Sequence, residues 1–302
     1  MMHEFRTRVS ARDLDLHRTV VGAPGGSPVL LLHGITESRR YWLPRILALG
    51  ARHRLILPDL PGFGLSPKPF TDYTPEFFVD SLVGLLERER LDSQPLHLIG
   101  HSLGGLIAIE LARRHPHLVA SLALMSIPRF NDPEEAHRVW FAGSFSYRNL
   151  LTANSVGANL AQIRRTGLRL TARYLRRLPW RVVSDARRFT FRSLTSTLEN
   201  CLLHYHLDDV LESVPRLPTL LIHGEQDQVA PLAPMLELPR RHPFPALHVI
   251  RGSGHHPFHT HGGACLRLIE AHLAGMPPAA LAADPKTFLV RPAGPDPLPD
   301  PR

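Results

Sequence analysis

At 302 residues, 43% hydrophobic and 21% charged, the chain is long enough for one large core with an insertion and has the composition of a soluble globular protein. No apolar run approaches the roughly 20 residues that cross a bilayer, and Met1–Arg6 lacks the apolar core of a secretory signal, so a cytoplasmic location is expected. The net charge is +8, with twelve arginines against the single acid Asp185 in residues 137–198, but no nucleic-acid-reading motif accompanies that basic segment, so no nucleic-acid partner is expected.

In chain order, residues 5–9 and 14–20 alternate loosely and predict an opening hairpin. Val29–Leu32 is a continuous apolar run, the mark of a strand buried on both faces, and it ends in His33-Gly34-Ile35-Thr36. A helical pattern follows over Tyr41–Leu49. A second buried strand, Arg54–Leu57, ends in Asp59-Leu60-Pro61-Gly62-Phe63-Gly64-Leu65-Ser66. A helix over Pro75–Arg90 precedes the apolar run Leu96–Ile99, which passes through Gly-His-Ser-Leu-Gly-Gly into a helical pattern ending at Arg114. Ser121–Met125, Thr219–Ile222 and Leu247–Ile250 complete the strands. Such alternation predicts an α/β fold, a mostly parallel sheet with helices on both faces.

The alternation stops between Pro128 and Pro215, where the pattern is helical without strands. This insertion leaves from the carboxyl ends of the strands, where open α/β sheets bind ligands, so it is expected to roof the site. The predicted division is a core over 1–127, a helical cap over 128–215, a second core segment over 216–275 and a proline-rich tail over 276–302. Cys201 and Cys265 lie far apart, outside any C-x-x-C pattern, and read as free buried thiols.

Chemistry concentrates at Gly100-His101-Ser102-Leu103-Gly104-Gly105. Strand, tight turn and helix in immediate succession hold a serine at the apex, and glycine at both flanking positions lets strand and helix pack closely. The helix N-terminus beneath supplies N–H groups suited to a developing oxyanion. A serine hydroxyl needs a base, and the base an orienting acid. Loops after the last two strands offer both: Glu225 and Asp227 in His223-Gly224-Glu225-Gln226-Asp227, and His255 and His256 in Gly252-Ser253-Gly254-His255-His256. The histidines 255, 256, 259 and 261 have no matching cysteine or carboxylate cluster, so no metal is expected.

These five segments in order, His33-Gly34, Asp59-x-Pro61-Gly62-x-Gly64-x-Ser66, Gly100–Gly105, His223-Gly224-x-x-Asp227 and Gly252-x-Gly254-His255, resemble the α/β-hydrolase family, in its capped serine esterase branch. The resemblance covers about residues 29–127 and 216–273. It implies a helical cap inserted after the sixth strand. It also implies Ser102 as nucleophile, His255 as general base and Asp227 as its orienting acid, in preference to His256 and Glu225. The backbone N–H groups of Ile35 and Leu103 would form the oxyanion hole. His33 and His101 are expected to brace the oxyanion loop and the elbow, and Asp59 its own turn.

The implied activity is hydrolysis of carboxylic esters or related acyl bonds in a small-molecule substrate through an acyl-enzyme, with no cofactor. Two alternatives accompany it: a carbon–carbon hydrolase of ring-fission diketones, and a hydrolase-like ligand receptor. Residues 155–178 read as an amphipathic cap helix whose arginines are solvated, attract an anionic substrate, or draw the protein to an acidic surface. Trp140, Phe141, Phe145 and Trp180 are candidates for an acyl pocket or for core packing.

Overall fold

The computed structural model describes residues 10–142, 185, 188–242, 247–276 and 287–290. The apolar runs become β1 (Arg18–Gly22), β2 (Ser27–Leu32), β3 (His53–Pro58), β4 (Leu96–His101), β5 (Val119–Met125), β6 (Thr219–Gly224), β7 (Leu247–Ile250) and β8 (Thr287–Val290). Among the described residues they join in one eight-stranded sheet of order β1-β3-β2-β4-β5-β6-β7-β8. Every pairing from β3 across to β7 is parallel, while β1 and β8, the outermost described strands, run antiparallel to their neighbours.

Each central strand is apolar at consecutive positions because it feeds two cores. Leu30, Leu32, Ile56, Leu98, Leu122 and Leu124 face one cluster, with α1 (Pro75–Arg88) and α2 (Leu103–Arg114). Val29, Leu31, Leu55, Leu57, Ile99 and Ala123 face the other, with Tyr41, Trp42 and Ile46. The period of two along a strand sends neighbouring residues to opposite faces, so burying both faces requires the unbroken apolar runs seen in the sequence. Between β5 and β6 the described residues are helical: α3 (Pro133–His137), α4 (Phe191–Thr197) and α5 (Leu207–Glu212). After β6 come α6 (Leu232–Arg241), α7 (Pro257–Thr260) and α8 (Gly262–Leu273).

Two expectations need correction, the helix over Tyr41–Leu49 and the tail, and others reach outside the described residues. The opening strand is Arg18–Gly22, which pairs with β3; residues 5–9, the other half of the expected hairpin, lie outside the described residues. Among the described residues the insertion leaves after the fifth strand. The helical pattern at Tyr41–Leu49 resolves into 3-10 turns, Arg39–Tyr41 and Arg45–Ala51. Pro44 lies between them, where it has no N–H to give and would clash inside an α-helix. The tail is not featureless: Thr287-Phe288-Leu289-Val290 pairs along β7. Four residues, three of them β-favouring, suffice for this strand, but they are too few to show a period among the prolines. The amphipathic stretch 155–178, Phe145 and Trp180 lie outside the described residues, as does the side chain of Phe141.

No helix among the described residues is long and apolar enough to cross a membrane. Cys201 and Cys265 are free and buried, as expected. Two other buried groups set an acid limit on stability. Both ring nitrogens of His248, on β7, are buried without a partner, as is Nε2 of His272 on α8. Burial pushes each imidazole down to about 4 from an ordinary value of 6.5. Between those values the unfolded chain binds more protons than the folded one, so stability falls as pH drops from 6.5 towards 4. Denaturant midpoints measured across that window should decline, and His248→Leu should make the decline shallower. An unchanged slope would remove His248 from the explanation.

Candidate active site

The turn at the end of β4 has the geometry the glycines foretell. Ser102 has φ 50° and ψ −119°, a strained conformation for a residue with a side chain. A Cβ on Gly100 would lie 2.5 Å from the Gly104 carbonyl oxygen, and one on Gly104 would lie 2.3 Å from that of Leu32. Anything larger than glycine would push strand and helix apart and lower the serine. The Ser102 N–H donates to the Met125 carbonyl at 2.9 Å, which anchors the apex to the neighbouring strand. Leu103 opens α2, where the first N–H groups have no intrahelical acceptor.

The loops after β6 and β7 meet beside this turn. His255 Nδ1 lies 2.8 Å from Asp227 Oδ2. The other carboxylate oxygen of Asp227 accepts the N–H groups of Val229 and Ala230, both at 2.9 Å. Burial disfavours the charge on Asp227, yet the His255 ring and these N–H groups outweigh it, holding the carboxyl far below its ordinary range. Glu225, the competing acid, instead accepts the Gly252 N–H at 2.8 Å near the surface and braces the loop that carries His255. His255 is pushed below the ordinary histidine value, mainly by burial, which its pairing with Asp227 only partly offsets.

His33 braces the loop after β2. Its Nδ1 donates to the Gly34 carbonyl at 2.8 Å and its Nε2 accepts the Leu60 N–H at 2.8 Å, which fixes a neutral tautomer beside Ile35. Asp59 does more than hold its own turn. It accepts the Leu65 N–H at 2.8 Å, and also the Arg39 backbone N–H and guanidinium at 2.7 and 2.8 Å. It therefore ties the loop after β3 to the one after β2.

One functional residue was not read from the sequence. Glu37 is buried, and its Oε2 accepts the Gly34 N–H at 2.7 Å and meets His101 Nδ1 at 3.1 Å. His101 Nε2 in turn donates to the His255 carbonyl at 2.8 Å. Oε1 of Glu37 lies 3.2 Å from His256 Nδ1. Burial alone would lower the His101 pKa, but the adjacent carboxylate raises it, and the two imidazoles keep Glu37 well below its usual range. With acceptors at both ring nitrogens, His101 is held as an imidazolium. A single buried carboxylate thus connects the Ile35 loop, the serine turn and the His255 loop. A glutamate three residues after His-Gly was the available signal. Its carboxylate oxygen and one ring nitrogen each of His101 and His256 lie within 4.8 Å of one another, a cluster different from the four histidines weighed from the sequence; with both His101 nitrogens donating, it is a hydrogen-bonded cluster and not a set of three free metal ligands.

Described residues of the insertion touch these loops. Asp185 accepts from the Ser38 hydroxyl and pairs with Arg40 at 3.1 Å. The Trp140 indole N–H donates to the Val229 carbonyl at 2.8 Å, and the ring packs edge-on against Phe130 with centroids 4.8 Å apart. Trp140 is therefore part of the core that joins the insertion to the Asp227 loop.

A parallel sheet with antiparallel edges, a helical insertion after β5 and a glycine-flanked serine turn at its centre define an α/β-hydrolase. The chain belongs to the alpha/beta hydrolase fold family, whose model matches residues 27–262. It is 32% identical to a pimeloyl-[acyl-carrier protein] methyl ester esterase of Aromatoleum aromaticum, over 82% of this chain and 98% of that protein. It is 30% identical to a 2-hydroxymuconate semialdehyde hydrolase of a Pseudomonas species, over 85% of this chain and 90% of the relative. A probable lysophospholipase of Arabidopsis thaliana, BODYGUARD 3, is 26% identical over 78% of this chain, which spans 53% of that longer protein. Among solved structures, the enol-lactonase of Burkholderia xenovorans LB400 superposes with a TM-score of 0.67 at 21% identity, covering 86% of this chain and 97% of the other, and shows the same fold.

Proposed function

We propose that the chain is a serine hydrolase of small acyl substrates in which Ser102 attacks the carbonyl, His255 moves the proton and Asp227 holds the imidazole. The observation that carries this reading is the 2.8 Å contact between His255 Nδ1 and a buried Asp227 carboxylate, on loops that converge beside a strained serine. Asp227 fixes the tautomer with hydrogen on Nδ1, which leaves Nε2 free to accept the Ser102 proton as the hydroxyl adds to the carbonyl. The N–H groups of Leu103 and Ile35 would receive the oxyanion, each worth about 100–1000-fold in rate. Collapse of the tetrahedral intermediate expels the leaving group with a proton from His255, and water then releases the acyl group by the same steps in reverse order.

A second reading shares the residues and changes the bond. The relative from Pseudomonas named as a 2-hydroxymuconate semialdehyde hydrolase spans nearly the whole chain, and this favours hydrolysis of a carbon–carbon bond in a ring-fission product. Turnover of a nitrophenyl ester compared with turnover of a dienone-type diketone separates the two. A kcat/KM higher for the diketone selects the second reading, and one higher for the ester selects the first. Stoichiometric reaction that stops after one turnover would support neither and would favour a receptor.

The pH dependence follows from His255. Because burial lowers its pKa, the acid limb of kcat/KM should have its midpoint below 6.5. A midpoint above 6.5, or a rate that stays flat into strongly acidic solution, would contradict His255 as the base.

A further inference from the structure

Six large hydrophobic side chains are strongly exposed among the described residues, and three of them, Leu65, Phe70 and Phe191, come from one junction. Phe70, at 79% exposure, is the most open of the six. Leu65 and Phe70 lie on the loop that leaves the carboxyl end of β3, and Phe191 is the first residue of α4. The two elements are fastened together. Arg192 Nε donates to the Thr71 carbonyl at 3.0 Å, the Ser193 hydroxyl to the Gly62 carbonyl at 2.9 Å, and the Tyr73 N–H to the Ser196 hydroxyl at 2.8 Å. The loop is also stiff from within, since Asp59 holds the Leu65 N–H and Lys68 Nζ donates to the Gly64 and Ser66 carbonyls, both at 2.9 Å.

The charges around these side chains are mostly positive. Arg192 lies over the Phe70 ring, 5.4 Å from its centroid, and pairs with Asp72. Lys68 is within electrostatic reach of the buried Asp59 carboxylate and, more weakly, of the Arg188 guanidinium. Of the twelve arginines of residues 137–198, Arg188 and Arg192 fall at this junction among the described residues, and with Lys68 they set three cations against the exposed carboxylate of Asp72. We infer that this junction is a docking surface for an anionic lipid interface: Phe70, Phe191 and Leu65 enter the headgroup–acyl boundary, and Arg188, Arg192 and Lys68 supply the attraction.

A lipid surface fits better than a protein partner. Three separate apolar side chains fall well short of the patch of about 800 Å² per side that a stable protein interface buries. Aromatic rings amid arginines are what interfacial binding uses, where each side chain keeps one end apolar and the other wet. The docking does not depend on which bond the site cleaves.

Sedimentation of the full chain with vesicles tests it without reference to activity. Binding should be strong to vesicles containing phosphatidylglycerol, weak to phosphatidylcholine alone, and reduced by high salt. The double variant Phe70→Ser with Phe191→Ser should lose about tenfold in partitioning, the scale expected for withdrawing two aromatic rings from the interface. Its thermal midpoint and nitrophenyl-ester turnover should remain those of the parent, and the single Phe70→Ser gives the same readout if the double variant folds poorly. Absence of vesicle binding, equal binding to both vesicle types, or binding that the phenylalanine variants leave unchanged would each overturn the inference.

Discussion

Ser102→Ala should lower turnover of any hydrolysable substrate by about 10⁴-fold or more, with KM nearly unchanged. The reason is local. Ser102 is 5% exposed at an apex that only this strained backbone can present, and the Gly100 and Gly104 contacts leave no room for the turn to bring another hydroxyl to the same place. Alanine keeps the backbone and removes only the attacking oxygen, so binding should persist while the chemical step stops. The residual rate would then reflect the N–H groups of Leu103 and Ile35 acting on water. A loss smaller than tenfold would mean that some other group attacks the substrate.

The second large effect is on stability. Glu37→Ala should cost about 3–5 kcal/mol, as expected when one partner of a buried charged pair is removed. Glu37 is 2% exposed, and without it the Gly34 N–H loses its acceptor and His101 loses the carboxylate that holds its proton. His101 is itself fully enclosed, with its other nitrogen on the His255 carbonyl, so the uncompensated charge has no route to water. Glu37→Gln keeps an oxygen for the Gly34 N–H but offers no charge, and should lie between the alanine variant and the parent. Urea titrations near neutral pH measure all three. A loss under about 1 kcal/mol for the alanine variant would show that the surroundings rearrange to satisfy His101.

The sequence exposes those parts of this molecule that depend on periodicity and on backbone constraint. Buried parallel strands need unbroken apolar runs, so β2 to β7 could be placed to within a few residues. The serine turn needs glycine at two flanking positions, and that spacing is visible without coordinates. What could not be read are contacts whose partners lie far apart. Beyond its place three residues after His33-Gly34, nothing local distinguishes Glu37 from a surface glutamate; its burial follows from His101 and His256, 64 and more than 200 positions away. The edge strand β8 escaped notice for the opposite reason, because four residues amid prolines carry too short a pattern. Pro44 was visible in the stretch read as helix over Tyr41–Leu49, and its missing N–H outweighed the apolar spacing around it.

Exposure of the folded protein to a fluorophosphonate, followed by peptide mass mapping, addresses Ser102 most directly, since such a probe reacts with a serine only where a base and oxyanion donors activate it. One label per chain is expected on the peptide carrying Ser102, slowed sharply in Asp227→Asn and abolished in Ser102→Ala. Label on a different residue, or labelling that survives Ser102→Ala undiminished, would contradict the assignment of the nucleophile and with it the proposed chemistry.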